Sequence, residues 1–87
     1  MTVTVSIPTA LRSYTKQAEV HAEGTTLADV LASLDTQYPG LRFRIITEQD
    51  EIRRHIRIYI NDDQAESLKA PLHAGDSVLI VLALSGG

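Results

Sequence analysis

Two glycines, Gly86 and Gly87, close the sequence just after the apolar run Val78-Leu79-Ile80-Val81-Leu82. Lacking a Cβ, such a pair reaches backbone angles closed to other residues and can thread a narrow channel. It also leaves the carbonyl carbon of the last residue open to attack. The chemistry these residues suit is activation of a carboxylate inside another protein's site, followed by transfer to a nucleophile. A frayed chain end reads the same way on two residues alone, so the elements that carry the pair must discriminate.

The remaining residue types narrow the chemistry. The chain has 87 residues, no cysteine and a formal net charge of −3. This excludes disulfides, a thiol nucleophile and cysteine-based metal sites, and it removes the basic footprint of a nucleic-acid binder. His21, His55 and His73 lack the paired spacing of metal ligands, so no metal site is expected. Arg53-Arg54-His55-Arg57 is a basic cluster with acidic residues nearby, and reads as a solvated or salt-bridged face. No Ser/His/Asp set, phosphate-binding glycine loop or carboxylate pair stands out. The expectation is a protein without a catalytic site of its own and without a bound cofactor. No stretch approaches the roughly 18 apolar residues of a membrane span, and the start MTVTVSIPTALR lacks the pattern of a signal peptide. A cytoplasmic protein is expected, with no nucleic-acid or membrane partner.

The elements read as follows. Thr2 to Ile7 alternates, with Val3, Val5 and Ile7 on one face, as a half-buried strand does; Pro8 ends it. Thr9 to Thr15 reads as a turn. Ala18, Val20 and Ala22 then alternate with Gln17, Glu19 and His21 in a second strand, which makes an antiparallel hairpin with the first. Gly24-Thr25-Thr26 breaks the chain and starts a helix, a threonine hydroxyl accepting a free N–H of the first turn. Leu27, Val30, Leu31, Leu34 and Tyr38 form its apolar stripe, and Pro39-Gly40 stops it. Leu41 to Arg54 has no clear period and has room for a second short helical turn. Ile56, Ile58 and Ile60 alternate as the inward face of a strand, Asn61-Asp62-Asp63 supplies turn chemistry, and Gln64 to Ala70 has room for a short edge strand. After the Gly75-Asp76 turn, Ser77 to Ala83 is a strand apolar on both faces, as expected at the centre of a sheet. The pattern alone gives α+β, a mixed sheet with one helix packed across it; a final strand between the first and third would make it a β-grasp (ubiquitin-like) arrangement, a topology the pattern leaves open. Residues 1–83 are expected to form the domain and residues 84–87 a flexible tail.

The opening VTVSIP, the helix TTLADVLASLDTQYPGL, the strand and turn IYINDDQ, the turn AGDSV and the closing GG together resemble the MoaD/ThiS family of ubiquitin-like sulfur carriers. The resemblance spans essentially the whole chain, and VSIPTALRSYT looks most like its CysO-type branch, which supplies sulfur for cysteine synthesis. The approach Leu82-Ala83-Leu84-Ser85 departs from the small residues that many members carry before the glycines. By this resemblance Gly87 is adenylated by an E1-like enzyme that uses ATP and is converted to a thiocarboxylate. It then gives up its sulfur to a biosynthetic enzyme making cysteine, molybdopterin, thiamin or another metabolite. Leu84, Ser85 and Gly86 would enter the partner's active site with it. The free carrier is expected to be a monomer.

Tyr59, Leu79 and Val81 should face away from the helix on adjacent strands, a contiguous apolar surface of the kind that marks a docking patch; a second small core under Leu41 to Arg54 is the other reading. Two further functions stay open. The same activated glycine could form an amide with a lysine, as a ubiquitin-like modifier does, or the domain could be a passive interaction module.

Overall fold

The computed structural model describes residues 2–83. Five strands form one sheet in the order β2-β1-β5-β3-β4, with β1 at Thr2–Ser6, β2 at Glu19–Glu23, β3 at Ile56–Ile60, β4 at Asp63–Ala65 and β5 at Ser77–Leu82. β1 and β5 run parallel, and every other pairing is antiparallel. This is the β-grasp arrangement, with the final strand between the first and third. β5 is thus central, with a hydrogen-bonded neighbour along each edge; Val78 and Ile80 on its α2 face are buried, while Leu79 on the other face is exposed.

Helix α2, Leu27–Gln37, lies across one face and buries Leu27, Val30, Leu31 and Leu34. Its start is built as the sequence suggests. The Asp29 N–H donates to the Thr26 hydroxyl at 3.3 Å, and the Asp29 carboxylate accepts from Thr25. These bonds hold the Asp29 carboxyl below its ordinary pKa of 3.8, the Thr25 backbone N–H contributing most. Opposite α2 lie Val3, Val5, Val20, Ile56, Ile58, Val78 and Ile80, all buried. One continuous core results.

Two segments differ from the expectation. Thr9 to Thr15 is helical rather than a turn: a 3-10 turn at Thr9–Leu11 leads into the four-residue helix α1, Arg12–Thr15. The Leu11 N–H donates to the Pro8 carbonyl at 2.9 Å, and Lys16, at φ 61°, ends α1 in the left-handed conformation. Leu11 and Thr15 are buried by this folding. The second strand therefore begins at Glu19, and Ala18 is exposed just outside it. Leu41 to Arg54 does contain a short helix, α3, at Leu41–Ile45. Leu41, Ile45 and Ile46 enter the main core on the α2 side, so no second core forms beneath this segment. The edge strand β4 sits at Asp63–Ala65, beginning in the expected turn one residue ahead of the range Gln64 to Ala70.

Candidate functional site

β5 is anchored at its start by a clasp of polar bonds that ties two of the sequence motifs together. The Asn61 side-chain amide donates to Asp76 at 3.2 Å, and Asn61 Oδ1 accepts from the Ser77 N–H at 3.2 Å. The Asn61 N–H bonds the Ser77 carbonyl at 2.7 Å, with Asn61 at φ 57° in the left-handed region that Asn tolerates. Asp76 also accepts the His73 N–H at 2.8 Å. The His73 backbone N–H, then the Asn61 amide and the nearby His73 ring lower the pKa of the Asp76 carboxyl. Sequence reading saw two separate turns here; their junction shows only once β3 and β5 are side by side.

On the face away from α2, Tyr59 and Leu79 stand directly opposite each other, and Val81 lies opposite Arg57. Leu79 is 44% exposed, while Tyr59 and Val81 are half-buried. The three predicted patch residues therefore do share the open face, and no element covers it among the described residues. Beside them, a groove of about 490 Å³ runs where the end of β1 turns away from β5, with Ile7, Pro8, Ala10, Leu79 and Val81 among its walls and Arg12 as its charged residue. Leu84, Ser85, Gly86 and Gly87 lie outside the described residues.

The other candidates are not brought together. Among the described residues no group of three or more His, Asp or Glu side chains is placed to hold a metal ion. The basic cluster is spent on the fold rather than on carboxylates. Arg53 donates to the Phe43 carbonyl at 2.7 Å and stacks over the Phe43 ring, while Arg57 donates to the carbonyls of Arg54 and Ile56. Among the described residues the acid-paired arginine is instead Arg42, 2.9 Å from Asp50. No helix among the described residues is long and apolar enough to cross a membrane.

A β-grasp domain whose central strand is followed, after Ala83, Leu84 and Ser85, by a diglycine has the architecture of a ubiquitin-like carrier. Residues 5–87 match the ThiS family, and the chain belongs to that family. The sulfur carrier protein CysO of Mycobacterium tuberculosis is 39% identical over the full length of both chains. The small archaeal modifier protein 3 of Haloferax volcanii is 31% identical, over 75% of this chain and 73% of its own. Among solved structures, CysO in the BexX/CysO complex of Amycolatopsis orientalis is similar with a TM-score of 0.90 and 34% identity, covering 98% of this chain and 99% of that one. By family and full-length likeness the chain is a sulfur carrier protein, as its motifs suggest.

Proposed function

We propose that the sulfur is carried on the C-terminal carboxyl of Gly87. An E1-like enzyme joins this carboxylate to AMP, with pyrophosphate leaving from ATP. A sulfur nucleophile then displaces AMP and leaves a thiocarboxylate. The carrier supplies no catalytic group, binds no cofactor of its own and works in the cytoplasm, where ATP is at hand. Leu84, Ser85 and Gly86 thread the enzyme's channel, and Tyr59, Leu79 and Val81 dock on its surface. A sulfur-accepting biosynthetic enzyme then takes the charged tail; that a similar carrier, CysO of Amycolatopsis orientalis, forms a complex with another protein, BexX, supports docking on a partner.

The observation that carries this reading is the family match, which runs through the glycines to Gly87. Intact-mass spectrometry after incubation with an E1-like enzyme, ATP and sulfide tests it. The expected product is heavier by the difference between one sulfur and one oxygen, and a chain lacking Gly87 stays unchanged. The likeness to an archaeal modifier protein favours a second reading, in which the activated glycine forms an amide with a lysine. Protein conjugates instead of a thioacid in the same experiment would select it.

A further inference from the structure

The edge of β5 that faces β1 is only partly used. Which backbone groups point there follows from three bonds. The Asn61 N–H reaches the Ser77 carbonyl, and the Ala83 N–H reaches the His55 carbonyl, so odd-numbered residues of β5 bond toward β3. The Thr4 N–H reaches the Asp76 carbonyl, so even-numbered residues bond toward β1. β1 pairs with β5 only as far as Ser6 opposite Leu79. The next ladder position on that side belongs to Pro8, which has no N–H to give the Ile80 carbonyl. The Pro8 carbonyl is turned instead to the Leu11 N–H, which donates to it at 2.9 Å, and the Leu82 N–H makes no bond to it. Among the described residues, neither the Ile80 carbonyl nor the Leu82 N–H has another partner. One proline and one 3-10 turn thus leave an acceptor and a donor unpaired at adjacent ladder positions.

These groups are not on a bare edge. They open onto the groove of about 490 Å³ whose walls include Ile7, Pro8, Ala10, Leu79 and Val81. Arg12 lines it too, held there by a bond from its Nε to the Ile7 carbonyl at 3.0 Å. We propose that this edge receives an extended, mainly apolar segment of the adenylating enzyme as an added strand, with a carboxylate of that segment opposite Arg12. Three observations select this occupant. The unpaired groups ask for backbone, and a strand laid along an edge supplies it through main-chain bonds. Arg12 is the charged residue of an otherwise apolar and small-polar lining, so the complementary charge is negative. Lastly, residues 83–87 can span at most about 17 Å. Whatever closes on Gly87 must therefore bring its own chain close to this edge.

The inference rests on the proposed charging of Gly87, and its test separates the two. The probe is a purified E1-like adenylating enzyme with ATP, mixed with the full-length chain, and the readouts are adenylation kinetics and amide hydrogen exchange. The expected result is that the Leu82 amide exchanges freely in the carrier alone and becomes protected in the complex. Pro8→Val restores a donor to the Ile80 carbonyl and extends the β1–β5 ladder across the edge. It should raise KM about tenfold, the scale of one or two lost backbone bonds. Arg12→Glu, a second variant that leaves Pro8 in place, should raise KM in a salt-dependent way. Charging with the Leu82 amide still exchanging freely in the complex would overturn the added strand while leaving the function intact. Failure of the enzyme to charge the unaltered chain would overturn both.

Discussion

Leu31 and Ile58 are both fully buried, one on α2 and one on β3, and they meet the same core from opposite sides. Truncating either leaves a void that a close-packed interior fills only in part. Leu31→Ala and Ile58→Ala should each destabilise by about 2–5 kcal/mol in chemical denaturation. A loss below about 1 kcal/mol would mean that the side chain is not in the core. Asp29 and Asp76 act through hydrogen bonds instead, accepting backbone N–H groups at the start of α2 and ahead of β5. Both folded-state pKa values are lowered from 3.8. A lowered value means that ionised carboxylate favours the folded state, so the contribution is whole above the ordinary value and fades as pH falls below it. The gap in denaturation midpoint between the protein and Asp29→Asn should therefore be constant from neutral pH down to about 4, then narrow. A gap that does not vary with pH would show that the carboxylate charge contributes nothing.

At the scale of elements, the start of α2 depends on a residue with no side chain. A Cβ added to Gly24 would stand 2.6 Å from the Asp29 Cβ and 2.8 Å from the Val30 backbone N. Neither atom can retreat without opening the first turn of the helix. Gly24→Ala should cost about 1–3 kcal/mol, the range of overpacked sites, measured as a drop in melting temperature. An unchanged melting temperature would mean that the turn before α2 gives way easily. The sequence marks Gly24 only as a break, because the close approach comes from the fold. Other elements were legible to different degrees for physical reasons. β1, β3 and α2 each bury one face over several residues, so their periods of two and 3.6 survive in the residue order, while β5 was legible as a continuous apolar run. α1 and α3 have four and five residues. At barely one turn each there is too little chain for a period, and such helices are held by packing rather than propensity. Leu41, Ile45 and Ile46 show this: their spacing becomes meaningful only against α2. The outward set Tyr59, Leu79 and Val81 was legible because alternation fixes both faces at once. The Asn61–Asp76 clasp was not, since it joins residues 15 apart that only the β3–β5 pairing brings together.

For the whole molecule, the decisive relation is between the open sheet face and the end of β5. Among the described residues the core runs from Val3 to Ile80. A few tail residues offer too little surface to hold a protein substrate, whereas a specific interface needs roughly 800 Å² per partner with apolar anchors near its centre. Leu79 and Val81 lie on the last strand before Gly87, whose carboxyl is the proposed reactive group, and Tyr59 is paired beside Leu79. Docking through this face would therefore set the reach of the tail through one rigid strand. Val81→Asp places a charge where the contact would have to desolvate it. Because Val81 is half-buried on the face away from the core, the substitution should leave the circular dichroism spectrum unchanged. Steady-state adenylation of Gly87 should then show a raised KM with kcat changed much less, since the reacting group is untouched. An unchanged KM would remove this face from the interface. A lost fold would show that Val81 supports the sheet itself, and Leu79→Asp, at the more exposed site, would then carry the same test.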